Sequence, residues 1–209
     1  MYSRTLTETL KSKKGRGKAI ILVGPRQVGK TTLLKTQLLN KNHLFLDADD
    51  PTVRNLLNNP NTEQLKSIVG NSKVVFIDEA QRIPGIGITL KILIDQFEKV
   101  QLYVSSSSSF DLSNELNEPL TGRKWEYELF PISWEEYEER HGYLFSEQQL
   151  ENRLLYGFYP DVLNNSGEEQ DILKQLVNSY LSRYFSLFKN KETRSSGKTS
   201  SIFSSTTRE

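Results

Sequence analysis

Along the first 130 residues, short apolar runs alternate with longer stretches of mixed character. Ala19-Ile20-Ile21-Leu22-Val23 has no polar position and predicts a strand buried on both faces. His43 to Asp47, Lys73 to Ile77, Gln101 to Ser105 and Lys124 to Phe130 predict four more strands. Helices are expected between them, over about 30–40, 51–59 and 62–69, and through Ile88, Ile92, Leu93 and Phe97. Strands spaced by helices in this rhythm predict an α/β fold, with a mostly parallel five-stranded sheet flanked by helices.

The rhythm changes after Phe130. Ser133-Trp134-Glu135-Glu136 and Ser146-Glu147-Gln148-Gln149 both fit the S-x-x-E/Q capping box, so each predicts a helix start. A further helix is expected from Glu168 to Phe188, and no strand signal intervenes. The expected organisation is an α/β core over 1–131, a small helical subdomain over 132–188 and a disordered tail over 189–209. That tail is rich in Ser, Thr, Lys and Arg.

The most specific chemistry lies at the ends of two of the strands. Gly24-Pro25-Arg26-Gln27-Val28-Gly29-Lys30-Thr31 fits G-x-x-x-x-G-K-[ST]. It follows a predicted strand and opens a predicted helix, the context that makes the pattern a phosphate cradle. Gly24 and Gly29 free the backbone so that N–H groups point at phosphate oxygens, and the helix N-terminus adds its dipole. Residues Gly24 to Thr32 are therefore candidate nucleotide contacts. Lys30 is expected to reach the β- and γ-phosphates, and the Thr31 hydroxyl to bind Mg²⁺.

Val74-Val75-Phe76-Ile77-Asp78-Glu79 is an apolar strand ending in two acids, at the sheet edge where open α/β folds bind ligands. Asp78 is the candidate metal ligand and Glu79 the candidate general base for water. The alternative for either acid is a cap on the following turn. Gln81 and Arg82 are candidates to sense the γ-phosphate or plain surface-loop residues. Ser105 to Ser109 end the fourth strand as a polar sensor, with Ser105 among the catalytic candidates, or as a flexible linker. Arg123 is a candidate to stabilise the transferring phosphoryl group, in its own chain or a neighbour's, or a member of a structural salt bridge. Asp47, Asp49 and Asp50 are read first as turn-forming acids before Pro51, with an addition to the metal site as the alternative, and His43 and His141 carry no assignment.

Composition narrows the class. Of 209 residues 36% are hydrophobic, and the formal charge of +1 gives no case for broad attraction to nucleic acid or membrane. One basic stretch, Lys11, Lys13, Lys14, Arg16 and Lys18, is read first as a solvated helix end. With no cysteine there is no disulfide framework and no thiolate metal site. The apolar runs are too short to span a bilayer and the N-terminus lacks an apolar signal region, so a cytoplasmic protein is expected.

These motifs, in this order, resemble the AAA+-like P-loop ATPases of bacteria and archaea. The GPRQVGKTTL loop, Asp78-Glu79-Ala80-Gln81, Ser105 to Ser109, Leu120-Thr121-Gly122-Arg123, Pro131 to Glu136 and Gly157-Phe158-Tyr159-Pro160 carry the likeness over residues 4–185. The resemblance implies ATP and Mg²⁺ as cofactors and ATP hydrolysis coupled to an unknown protein or DNA partner, with a homo-oligomer as one possible assembly. The family has glycine in the sensor strand where this chain has Ser106, which places binding on firmer ground than turnover. A nucleotide-binding scaffold with little hydrolysis and a truncated inactive remnant are the alternative readings. Family members continue into a C-terminal domain, and the tail suggests why this chain does not. Glu192 to Ser201 can be encoded so that the same DNA, read two bases along, gives K-P-E-V-L-E-K-L-L, an amphipathic helix. The tail is accordingly expected to be an out-of-frame ending.

Overall fold

The structure, a computed structural model, describes residues 1–38, 42–107 and 119–181. The tail over 189–209, the end of the Glu168–Phe188 helix and Ser108-Ser109 of the serine run lie outside these residues. Along the chain come α1 (Leu6–Lys13), β1 (Ala19–Val23), α2 (Lys30–Leu38), β2 (His43–Asp47), α3 (Pro51–Leu57), α4 (Thr62–Val69) and β3 (Val74–Asp78). After a 3₁₀ turn at Ala80–Arg82 follow α5 (Ile86–Gln96), β4 (Gln101–Ser106) and β5 (Lys124–Glu128). The last helices are α6 (Trp134–His141), α7 (Tyr143–Gln148), α8 (Leu150–Tyr156), α9 (Pro160–Asn164) and α10 over 169–181. No helix among the described residues is long and apolar enough to cross a membrane.

The five strands form one parallel sheet in the order β2-β3-β4-β1-β5. Strand composition follows position. The three inner strands β1, β3 and β4 are buried at every residue. Edge strand β5, Lys-Trp-Glu-Tyr-Glu, alternates charge with aromatic side chains and stays half-exposed, which discourages pairing with another chain. Side chains alternate across the sheet and feed two cores. On one face Ile21, Val75, Ile77 and Val104 pack with Leu57, Leu65, Leu90 and Leu93 from α3, α4 and α5. On the other, Ile20, Leu22, Phe76 and Tyr103 pack with Leu10 of α1 and with Leu33, Leu34 and Leu38 of α2. This is the fold of a P-loop NTPase.

Caps explain several helix starts. Asp50 accepts from the Thr52 backbone N–H at 2.7 Å with Pro51 at the first helical position, so that acid is a cap on α3. The Ser133–Glu136 capping box forms at α6 as its spacing predicts. An Asn61–Gln64 box at α4 is its counterpart with Asn in place of Ser or Thr. Ser146 is a correction. It caps nothing, but lies buried inside α7 with its hydroxyl on the Gly142 carbonyl at 2.9 Å. Gly142, at φ 81°, ends α6 and starts α7 at once, so the chain has already turned helical three residues before Ser146.

The chain divides into two compact units. The first, Met1–Glu151 with Phe158–Pro160, holds the sheet together with α6 and α7. The second comprises Asn152–Gly157 and the described residues from Asp161, with Val162, Ile172 and Leu176 buried and an Arg153–Glu169 ion pair at 3.7 Å.

Candidate active site

The phosphate loop leaves β1 flush against the exit of β5. A Cβ on Gly24 would sit 2.2 Å from the Leu129 carbonyl oxygen, so only glycine fits there, at φ 147°. Leu129 N–H in turn donates to the Val23 carbonyl at 2.8 Å and fixes this junction. Three non-glycine residues among those described have positive φ, and two of them, Gln27 and Glu79, lie in the predicted motifs. Strain of this kind concentrates where a site overrides local preference.

Lys30 begins α2 and is buried. Its Nζ folds back to donate to the Gly24 carbonyl at 2.9 Å and the Pro25 carbonyl at 2.7 Å. Burial pulls its pKa below the usual lysine value. Glu79 and Asp78 oppose that shift, and Arg26 adds to it. The next residue reaches across the sheet edge, where the Thr31 hydroxyl donates to Asp78 Oδ2 at 2.8 Å. Asp78 ends β3, buried, and its other oxygen accepts from the Ser105 hydroxyl. Strand order explains the arrangement. β4 lies between β1 and β3, so the tip of β4 presents Ser105 beside the acid that faces the loop.

Glu79 follows in the left-handed region at φ 51°, which turns its side chain out of strand alternation. Its backbone N–H donates to Ser105 Oγ at 3.3 Å. Its Oε2 accepts from Gln81 Nε2 and from Ser107 Oγ, the latter at 2.9 Å, and Gln81 also reaches Ser107 at 2.9 Å. Lys30, Thr31, Asp78, Glu79, Gln81, Ser105 and Ser107 are thus brought to one edge of the sheet. Of the remaining loop residues, Val28 is buried, Gln27 and Thr32 are exposed, and Pro25 and Arg26 are half-buried.

Arg123 is not brought there. It precedes β5, and its carbonyl accepts from the Ala19 N–H at the start of β1, so it occupies the opposite edge of the sheet. Its guanidinium pairs with Asp95 on the surface at 2.7 Å, and that hydrogen bond raises its pKa. A parallel strand of five residues, at about 3.3 Å each, separates it from its own chain's loop. Arg82 is likewise committed elsewhere, 2.6 Å from Asp49. Asp47 accepts from the Asp49 N–H at 2.9 Å, as a turn-forming acid does. A cavity of about 300 Å³ opens at the Arg123 edge, lined by Gly15, Lys18, Glu98 and Gln101, and includes none of the motif residues.

Two buried charges behind the loop form a pair that no sequence signal announces. Arg4 Nε lies 3.0 Å from Glu136 Oε2, with the side chains 9% and 3% exposed. Glu136 reads as a capping-box residue and is one, but it also accepts from the backbone N–H of Thr5 at 2.8 Å. Breaking such a pair from one side costs about 3–5 kcal/mol. Arg4 precedes the first periodic segment and its partner is more than a hundred residues away, so only the fold relates them.

An AAA domain model matches residues 16–138. A protein of Mycobacterium tuberculosis is 34% identical over 109 residues, which is 52% of this chain and 24% of that protein. One from Methanocaldococcus jannaschii is 24% identical over 182 residues, 79% of this chain and 40% of that one. The chain therefore spans well under half the length of these relatives. Among solved structures, a Walker-type ATPase of Pyrococcus abyssi shares the fold at a TM-score of 0.56 and 15% identity, over 93% of this chain and 77% of that one. With the domain model covering more than half its length, this chain belongs to the AAA domain family, within the AAA+-like P-loop ATPases.

Proposed function

We propose that the chain binds Mg-ATP at the loop of Gly24 to Thr31 and hydrolyses it, in the service of a partner protein or DNA. One observation carries this reading. The Thr31 hydroxyl at the start of α2 and the Asp78 carboxylate at the end of β3 meet at 2.8 Å, directly after Lys30. Two hard oxygen donors that close suit Mg²⁺, which takes only one or two protein ligands and completes its shell with phosphate and water. Magnesium, when bound, neutralises charge on the β- and γ-phosphates.

The chain's own groups supply the rest. Lys30 leaves its two loop carbonyls for phosphate oxygens and so recovers solvation for a charge that burial disfavours. Glu79 takes a proton from water as the water oxygen bonds to the γ-phosphorus. The bond from the γ-phosphorus to its bridging oxygen breaks, and ADP leaves with that electron pair. Ser105 holds Asp78, while Gln81 and Ser107 hold Glu79.

A second reading, binding without turnover, draws on the same contacts. In this conformation Glu79 Oε2 accepts from both Gln81 and Ser107. Mg-ATP binding and turnover by the wild type, Lys30→Ala and Glu79→Gln decide between them. The hydrolase reading expects turnover lost in both variants, by roughly 100-fold or more, and binding lost only in Lys30→Ala. Binding without turnover in the wild type selects the scaffold, and a folded wild type that binds no nucleotide removes both.

A further inference from the structure

We propose that Arg4 is a positioning residue for phosphate binding. It fixes which way the loop peptide between Val28 and Gly29 faces, with Glu136 as its counter-ion. The inference rests on the nucleotide reading above and adds a residue outside every motif.

Arg4 Nη1 donates to the Val28 carbonyl at 2.9 Å. None of the described peptide bonds is cis, and a trans peptide points its C=O and N–H in opposite directions. Holding the Val28 oxygen against Arg4 therefore turns the Gly29 N–H away from it, to the side a phosphate approaches. The next carbonyl, of Gly29, accepts from Leu33 at 2.9 Å and belongs to the first turn of α2. Left to itself this peptide has little to choose between two orientations. Gly29 has no Cβ and sits at φ 94°, and glycine rotates at low cost into either half of conformational space. An inverted peptide would present a carbonyl oxygen to the phosphates where an N–H is needed.

The guanidinium is itself held from behind. Nη2 donates to the Phe130 carbonyl at 2.6 Å and the Pro131 carbonyl at 3.3 Å, immediately after the Leu129 that packs on Gly24. Nε faces Glu136, whose carboxylate is fixed by Thr5 N–H, Thr5 Oγ1 and Ser133 N–H at 2.8, 3.1 and 3.1 Å. One planar group thus ties the middle of the loop to the frame at its start, a task its fixed fork suits better than a lysine would. The same contacts link the loop to the first turn of α6. Nucleotide and the Arg4–Glu136 contact therefore stabilise one another reciprocally.

The test uses the paired variant R4M/E136Q, which removes both charges and leaves neither uncompensated. A purely structural pair would be replaced without loss, so melting temperature and MgADP affinity would recover together. The positioning role expects the melting temperature to return close to wild type while MgADP binds roughly 10- to 100-fold more weakly, as loss of a charge-assisted anchor implies. MgADP affinity within about twofold of wild type in the folded paired variant overturns the inference. Arg4→Lys supplies the same comparison if the paired variant does not fold. It keeps the charge beside Glu136 but reaches fewer carbonyls, so roughly tenfold weaker binding is expected at an unchanged melting temperature. Wild-type affinity in that variant overturns the inference equally. A wild-type chain that fails to bind MgADP would instead remove the nucleotide reading, and this inference with it.

Discussion

The two edges of the sheet carry the same kinds of residue and treat them in opposite ways. At the edge where the strands end, Lys30 and Asp78 are buried, Glu79 and Gln27 take left-handed backbone, Lys30 is held by two loop carbonyls, and Asp78 is held by the Thr31 and Ser105 hydroxyls. At the edge where the strands begin, Arg123 and Asp95 pair on the surface, and Lys13 and Lys18 lie over the Trp125 ring at 4.5 Å. Charge is exchangeable where water can replace a partner and specified where it cannot. A cation's sequence neighbourhood does not reveal which edge it occupies, whereas its place on the strand does.

Two glycines sharpen the contrast most. Gly24→Ala drives a Cβ into the Leu129 carbonyl, and about 3 kcal/mol of unfolding free energy should be lost in urea titrations. Gly17→Ala, at φ 67° with open space around it, should cost only about 1 kcal/mol. Equal losses would erase the distinction between the edges.

Lysine and arginine give the next largest difference. Lys30→Met should weaken Mg-ATP binding roughly 100-fold, whereas Arg123→Ala should leave binding, turnover and melting temperature as they were. The Lys30 variant also carries a signature in pH. Burial lowers its folded pKa below the ordinary 10.5, so between those two values the unfolded chain binds more protons than the folded one. Wild-type stability should therefore gain, relative to Lys30→Met, as pH rises towards 10.5. A constant difference between the two across that range would contradict the burial argument.

Within the strand-end cluster, Gln81→Ala and Ser107→Ala should lower kcat roughly tenfold with KM unchanged, since both side chains hold the Glu79 carboxylate. A rise in kcat would instead favour the reading in which they hold the base idle.

The smallest effect concerns His141, which is packed among Tyr2, Tyr137 and Phe145 with its Nε2 3.0 Å from the Tyr2 hydroxyl. Burial first, and then Arg140, lower its pKa. Below about pH 6.5 the unfolded chain takes up a proton that the folded chain resists, so stability falls slightly with acid. His141→Phe should flatten that slope, read as melting temperature against pH.

What could be read in the chain without its fold was what is local. Of the inner strands β1 is an unbroken apolar run and β3 one up to its terminal acid, and β1 and β2 begin and end where the pattern changes. The Gly24–Thr31 loop and the Asp78-Glu79 pair are legible because each binds its chemistry within a few consecutive residues. Gln81 is a candidate by nearness in sequence to the acids and Ser107 by its place at the end of the fourth strand, and the fold gives them a common partner in Glu79. Of the readings open for Arg123, the fold removes a place at its own chain's loop and shows the salt bridge. Both stay open in a string, where a residue just before a strand and one just after it look alike. A parallel sheet sends them to opposite ends. Ser146 matched a capping pattern whose helix had already begun at Gly142, so the conformation of a glycine overrode the motif. Arg4 and Glu136 were beyond reach because nothing local pairs them.

The strand order has a consequence for how this protein is made. Of the five strands of the sheet β1 leaves the ribosome first, yet its two neighbours, β4 and β5, leave it last. At about 5–20 residues per second, roughly 4 s to 17 s pass before Ser106 is added and the first of those ladders can close. Throughout that interval five consecutive apolar residues wait with both edges unpaired, the state in which a strand recruits a foreign partner. The glycines and cations that flank this strand, Lys14 to Lys18 before it and Gly24 to Arg26 after it, are the kind of neighbours that keep such a segment apart from its copies. The phosphate loop thus guards the nascent chain before it holds any nucleotide.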